Sequence, residues 1–489
     1  MLKPLHLRWV AGLVPAVLIN SILASIFIFI SGCAVNQARD VQVYRKVLDA
    51  GNHRCAALSS FHSKDPLTLR QAMCLASAHN EQLAVAGENY LQALIDKDRA
   101  FAAFLPSIRL APAFMHQDKT ALGAGNFMSA GFVPDHTTDV PVSGNLNLHP
   151  FRDLPALQAA GDSAQMQRAL LLDRQAVLMM DVVRAYFQVM YSEKKVRVLQ
   201  YSIKVGQQRL KDMEVKQKAG VVLPVDVSLS QAQLAKTRNT LIQAKDDVKN
   251  GRAILAFLIA VPAVKGPLTN GVHVPSTVWR IDPLLKQAHE HRQDLMAAHE
   301  QVKSAASALK AAWGEYFPSV SLNLAYYLSR DTFPNDVDWT SLIRVNLPIF
   351  SAGLIHADVR TAYSRLRQAR LVESNVRRQV LKDLRVAVEN LKRDDQQIGQ
   401  LCIQVKAAKE GRLQADAGFN AGVGTNLERL IAEEGLLSAE LSLSAARFNQ
   451  NVDYLNLLRV TGALDPDISA ALLSEKNNFH ETKRPGRAW

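Results

Sequence analysis

The side chains able to do chemistry are few and scattered. His289 and His291 stand at i, i+2, and such a pair points to different sides of a helix and cannot share a metal ion. No phosphate-cradling glycine loop, no Cys/His cluster at metal spacing and no nucleophile elbow occurs along the chain. Of the four cysteines, Cys402 sits alone in a helical run, while Cys55 and Cys74 flank a turn-rich segment. In an exported protein that pair either closes a disulfide or remains as two reduced, buried thiols. No enzyme activity and no cofactor is expected from this inventory.

The remaining cysteine, Cys33, belongs to the N-terminus. Lys3 and Arg8 form a positive start, an apolar stretch runs to Ile30, and residues 1–32 read as a secretion signal. The sequence Ile30-Ser31-Gly32-Cys33 resembles the lipobox of bacterial lipoproteins, which implies that Cys33 becomes the lipidated first residue. Ala34 after it, rather than Asp, resembles outer-membrane sorting. The alternative is an ordinary transmembrane helix with a chance cysteine, but the following segment is polar and no other stretch approaches the length of a span. Removing Lys3 and Arg8 and no acid lowers the formal charge from +12 to +10. The basic residues alternate with acids and no aromatic-interleaved basic patch appears, so a solvated helix surface is expected and nucleic acid is not.

Aromatic residues make up only 7% against 48% hydrophobic, a composition of extended helix bundles. The architecture that positions everything else is a duplication. Phe104-Leu105-Pro106-Ser107 returns as Tyr316-Phe317-Pro318-Ser319, each after a helical stretch opened by Asp65-Pro66-Leu67 or Asp282-Pro283-Leu284. Asn147-Leu148-His149-Pro150-Phe151 matches Asn346-Leu347-Pro348-Ile349-Phe350, and Ala219-Gly220-Val221 matches Ala421-Gly422-Val423.

After the Pro-Ser joint, Val320, Leu322, Leu324 and Tyr326 alternate with Ser321, Asn323, Ala325 and Tyr327. That is the period of a strand with one apolar face. Ile343, Val345 and Leu347 alternate with Leu342, Arg344 and Asn346, so a hairpin is expected around the turn at Asp331 to Asp338. In the first unit, Ile108 and Leu110 lead towards Phe114, and Val142, Leu146 and Leu148 return after a longer Gly- and Thr-rich loop from Met115 to Thr138. Strands of this length cross a bilayer when tilted. Four strands cannot close a barrel, and open edges cannot face lipid. Three chains would supply twelve strands, whereas two would leave little lumen.

Helices follow each hairpin. From about Leu157 to Lys218, Val182, Ala185, Val189, Val196, Leu199, Ile203, Leu210 and Met213 keep a three-four spacing, with Ser192 and Gly206 in the remaining slots. Gly220 stops this helix, and Pro224 with Asp226 opens the returning one to about Leu258. The second unit repeats the pattern from about Leu354 to Asn420, breaks at Gly422 and Gly424, and restarts behind Thr425 and Asn426 as candidate N-caps.

This doubled order resembles the TolC-like outer-membrane efflux family over about residues 66 to 461. The resemblance implies a mainly α fold with a small β part, a duplicated unit of long coiled-coil hairpins plus two β-hairpins. It also implies a trimer with a 12-stranded barrel continued by an α-helical tunnel. The corresponding segments are 1–32 signal peptide, 33–65 lipid-anchored segment, 66–262 first repeat, 263–281 equatorial connection, 282–461 second repeat and 462–489 equatorial segment and tail. Implied partners are outer-membrane lipid, two further copies of the chain, an inner-membrane pump and a periplasmic adaptor. The adaptor would dock at tips carrying Gly220, Val221, Asp226, Gly422, Val423, Gly424 and Thr425. Glu428 stands where the family tends to place an acid ringing the entrance, with Asp226 as its counterpart; a plain first-turn acid favoured by the helix dipole is the other reading. Ile431 replaces a further acid of some relatives, Gly424 replaces a basic tip residue, and Phe419 stands at a position where an aromatic often links helices. A coiled-coil periplasmic adaptor or scaffold lipoprotein would also explain the helices, but not the two amphipathic hairpins.

Overall fold

The computed structural model describes residues 36–49, 62–116, 136–269, 271–275, 279–332 and 334–464. The expected signal segment, Cys33, Cys55 and the tail beyond residue 464 lie outside these residues.

Helix α1 (Gln37–Asp49) precedes two repeats of one pattern. The first runs β1 (Leu67–Thr68), α2 (Leu69–His79), α3 (Glu81–Ala102), β2 (Ser107–Leu110), β3 (Ala113–His116), β4 (His136–Asp139), β5 (Pro141–Leu148), α4 (Pro150–Lys218) and α5 (Pro224–Leu258). The second runs β6 (Leu268–Thr269), α6 (Ile281–His291), α7 (Gln293–Gly314), β7 (Ser319–Tyr327), β8 (Trp339–Asn346), α8 (Leu354–Asn420) and α9 (Asn426–Val460). With 69 and 67 residues, α4 and α8 are each ~100 Å long, and α5 and α9, 35 residues each, return half that distance. In the long bundle α8 packs on α9, α9 on α4 and α4 on α5, so α5 and α8 form its flanks.

Four details differ from the sequence reading. The helical stretch before each Pro-Ser joint is two helices, not one. In the first repeat Asn80 breaks it: its Oδ1 accepts the Leu83 N–H at 3.1 Å, capping α3, while its Nδ2 donates to the Leu258 carbonyl at 3.1 Å. Arg292 occupies the equivalent break and pairs instead with Asp294 and Asp383, both at 2.9 Å. Second, α4 begins at Pro150, earlier than Leu157. Proline at the first helical position loses no bond, and Asp153 accepts the His149 N–H at 2.8 Å; Pro155, in the second turn, forgoes the bond an N–H there would make to the Phe151 carbonyl, and the helix runs on through it. Third, residues before the first repeat contribute α1, which buries Tyr44 and Leu48 in the main core. Fourth, the long first loop carries an extra ribbon, β3 paired with β4.

Two cores sit where the short helices wrap the long ones. The larger gathers Leu67, Met73, Met180, Tyr186, Phe187, Leu255 and Ile259; the smaller joins Leu384, Val388, Leu391, Tyr454 and Leu457, with Trp279 and Ile281 against it. The connection after α5 is therefore packed. Its β6 pairs in parallel with β1, and the Tyr186 hydroxyl, with one proton to give, lies within donating distance of Leu67 O (2.7 Å) and Thr269 O (2.8 Å) while accepting the Thr269 N–H (2.9 Å). Burial raises the Tyr186 phenol to about 12.

Candidate functional site

The sheet is antiparallel in the order β2-β5-β7-β8, so hairpins of both repeats lie side by side. Its register aligns Leu110, Val142, Tyr326 and Trp339 on one rung, Ile108, Gly144, Leu324 and Ser341 on the next, and then Leu146, Leu322 and Ile343. Leu148, Val320 and Val345 make a fourth rung of that face. Directly paired residues share a face and alternate ones oppose it. One face is thus almost wholly apolar, and it is exposed: Ile108 is 74%, Ile343 68% and Trp339 61% accessible. The other carries Arg109, Ser143, Asn145, Asn323, Ser321 and Arg344. This inverts the usual rule for a sheet in water. The nine residues of β7 rise ~30 Å along the strand, or about 24 Å once tilted, the height of a membrane barrel's apolar band. Tyr326 and Trp339 sit at one end of that band, where barrels place aromatics. Among the described residues β2 and β8 have one unpaired edge each.

Beyond the aromatic rung, the turns of the two repeats are clipped together. Asp139 accepts the N–H groups of Asp331 (2.9 Å) and Thr332 (3.2 Å) and the Thr332 hydroxyl (2.5 Å), and Asp331 accepts the Thr138 N–H (2.8 Å). At the opposite end of the sheet the two motifs read from the duplication meet. Phe151 stacks on Phe317 with centroids 4.5 Å apart, and Gly314 lies so close that a Cβ there would come within 2.2 Å of the Phe151 carbonyl oxygen.

At the far ends of the long hairpins both turns are built alike. Gly220 (φ 72°) and Gly422 (φ 76°) adopt the left-handed region, and the N–H of Val221 and of Val423 closes on the carbonyls of Lys216 and Gly418 at 2.9 and 3.0 Å. Val221 and Val423 project into solvent. Gly424 lies over the last turn of α8, where a Cβ would meet Gly418 C and Phe419 N at 3.1 Å, a steric reason for glycine at this position. Asp226 accepts the Leu223 N–H at 3.3 Å; Glu428 accepts the Thr425 N–H at 2.9 Å, and Thr425 Oγ1 accepts the Glu428 N–H at 3.2 Å.

Between the tips lies a buried polar node. Asn426 Nδ2 donates to the Asp226 carbonyl (3.0 Å) and to Ser230 Oγ (3.1 Å), while its Oδ1 accepts from Arg429 (3.0 Å). The Phe419 ring is held between Arg429 at 4.4 Å and Lys216 at 4.6 Å. One to two turns further in, Arg209 of α4 binds both Asp416 oxygens (2.9 and 2.8 Å) and also Glu433, joining the two hairpins. Burial, and then the Arg209 charge, lowers the Arg429 guanidinium from its ordinary value, and burial raises the Glu433 carboxyl despite Arg209.

A membrane-height sheet whose lipid-facing side is apolar, set on ~100 Å helices and built twice over, leaves few families to compare. The family described as outer membrane efflux protein matches residues 73–261 and again residues 284–463. The chain belongs to that family. Among similar proteins, "Probable outer membrane lipoprotein SilC" of Salmonella typhimurium is 21% identical over 296 residues, 58% of this chain and 63% of SilC, which is under two thirds of that protein's length. "Outer membrane protein TolC" of Escherichia coli K12 is 20% identical over 443 residues, 85% of this chain and 86% of TolC. The solved outer membrane protein VceC of Vibrio cholerae superposes with a TM-score of 0.71 at 18% identity, covering 81% of this chain and 96% of VceC.

In this outer membrane efflux protein the tip residues expected from the sequence are brought together: Gly220, Val221, Asp226, Gly422, Val423, Gly424, Thr425 and Glu428 all lie at the two adjoining hairpin ends. One assignment changes: Asn426 is not an N-cap, since Thr425 takes that role and Asn426 bridges to α5. Glu428 caps its own helix. Phe419 does link helices, through Lys216 and Arg429. Cys74 is buried and disulfide-bonded, whereas Cys402 is a free, exposed thiol. Sequence reading missed Arg209, Asp416, Arg429 and Glu433. A signal existed for the first: Arg209 follows Gly206 by three positions and precedes Met213 by four, so a charge sits on the seam face.

Proposed function

We propose that the chain is the outer-membrane exit duct of a tripartite efflux or secretion system, passive in itself and supplied by an inner-membrane pump through a periplasmic adaptor. The observation that carries this is the four-stranded sheet with an apolar outer face, a polar inner face and two open edges. Unpaired backbone groups in hydrocarbon cost several kcal/mol each, so the edges must be closed by other copies. Three copies give twelve strands and a lumen. Below the sheet, the flank of α5 with exposed Ile242, Ile254 and Phe257 then meets the flank of α8 with exposed Leu371, Ile403 and Leu413 on the next copy.

The lipidated Cys33 anchors the duct to the outer membrane, a reading supported by the word lipoprotein in the name of SilC. Cys55 is the partner of Cys74, which the disulfide at Cys74 supports. The adaptor seats on the tips around Gly220–Asp226 and Gly422–Thr425, where left-handed glycines leave open space and the two valines protrude. Three Glu428 carboxylates ring the entrance. A scaffold or adaptor lipoprotein has no use for an apolar sheet face of membrane height.

Fractionation with planar-bilayer recording tests the duct: a trimer from the outer membrane that conducts ions is expected, and a water-soluble monomer without conductance refutes it. For the docking surface, Gly220→Trp and Gly422→Trp should abolish export while leaving the trimer intact; full export by both variants removes the tips from consideration.

A further inference from the structure

Where α8 and α9 leave the smaller core, next to Leu391 and Tyr454, two acids face each other. Asp394 of α8 is only 2% exposed. Its Oδ1 accepts from Arg393 Nε (3.2 Å) and Nη2 (2.8 Å), but its Oδ2 is buried with no hydrogen-bond partner. Across the helix pair, Asp453 of α9 is within hydrogen-bonding reach of the Asp394 carboxyl, and its Oδ2 takes Arg393 Nη2 at 3.3 Å. The charged groups facing the pair are Arg393 from α8 and Arg184 from α4, the latter also paired with Asp181 at 3.2 Å. Each arginine already has a carboxylate, and neither reaches the orphan oxygen.

A buried carboxylate oxygen without a donor is strongly unfavourable, and two carboxylates in contact cannot both ionise cheaply. A proton on Asp453 removes both problems, because a protonated carboxyl donates one O–H. We propose that Asp394 and Asp453 share a single proton and form an acid-closed clasp between α8 and α9. Burial, and then the Asp394 charge, holds the Asp453 carboxyl up to about 6, with Arg393 opposing. The titration belongs to the pair rather than to either acid. Because the folded chain binds this proton more tightly than the unfolded one, the clasp contributes below the usual aspartate range and is lost as pH rises through about 6. Asp394 lies ~39 Å along α8 from the tip at Asn420, so the clasp sits at the root of the hairpin that carries Glu428. Its bearing on the entrance rests on the duct reading; the clasp itself does not.

Infrared difference spectroscopy on the full-length trimer in detergent reads the pair directly. The carbonyl stretch of one protonated carboxyl at this pair should appear with a midpoint near 6, vanish in Asp453→Asn and move to lower pH in Asp394→Asn. Arg393→Gln should move the midpoint upward, which a merely structural role would not do. Thermal midpoints should fall with rising pH in the parent protein and stay level in Asp453→Asn, whose amide donates permanently to Asp394. A band that is missing from the parent, or that survives Asp453→Asn, or a midpoint unmoved by Asp394→Asn or by Arg393→Gln, overturns the proposal. A trimer that titrates as stated but conducts no ions upholds the clasp and refutes the duct.

Discussion

Replacing Arg209 with alanine should loosen the two hairpins where they meet at the entrance. The guanidinium makes two hydrogen bonds to Asp416 and one to Glu433, all charge-assisted, and such bonds contribute ~1.5–3 kcal/mol each when buried. Full loss is not expected. The Asp416 and Glu433 side chains are 27% and 18% exposed, so water replaces part of what is removed, and Glu433, already raised by burial, takes up a proton more readily once the cation is gone. A net weakening of about 2 kcal/mol, or roughly 30-fold in the equilibrium between joined and parted tips, is the expected size. In planar bilayers the variant trimer should show higher conductance or more frequent open events than the parent. Cysteines placed on α4 and α8 at this level should cross-link less. Parental conductance together with parental cross-linking would mean that the network does not hold the tips together.

Two further substitutions separate roles that one residue combines or fix the sheet to the helices. Glu428→Gln keeps a side-chain acceptor for the Thr425 N–H, so α9 should lose only a few tenths of a kcal/mol, but cation selectivity measured by reversal potential should fall if three carboxylates ring the entrance. Unchanged selectivity leaves Glu428 with capping alone. Gly314→Ala places a methyl 2.2 Å from the Phe151 carbonyl oxygen and should destabilise the junction by about 3 kcal/mol or more, read as a lower trimer melting temperature. An unaltered melt would show that the α4 and α7 ends can part without loss.

What was legible in the sequence is what has a period or a special backbone conformation. Val320 to Tyr326 alternate because β7 has a lipid side and a polar side, and Gly220 and Gly422 recur because both turns need positive φ. The three-four seam through Val182, Val189, Leu199 and Met213 is buried as its spacing indicates. Contacts between residues far apart in sequence left no such trace. Asn80 is an ordinary polar residue in a helical run until Leu258, distant in sequence, supplies a carbonyl for its amide. Asp139 becomes a clip only because register brings Asp331 and Thr332 beside it. Phe151 and Phe317 are both motif residues, yet nothing in either motif says that one stacks on the other. Asp416, Arg429 and Glu433 lie on helices whose charges are mostly solvated, and only the third dimension distinguishes them.

Among the described residues β2 and β8 each keep an unpaired rim, so in the proposed duct insertion and assembly become a single event. A lone chain gains little by entering lipid, since its backbone would stay half unsatisfied there, and three chains must close the ring before any is stable in place. A flaw on either rim strand therefore acts on its neighbours. In a cell making equal amounts of sound and damaged chains, most rings would contain a faulty seam, and the damage would be dominant.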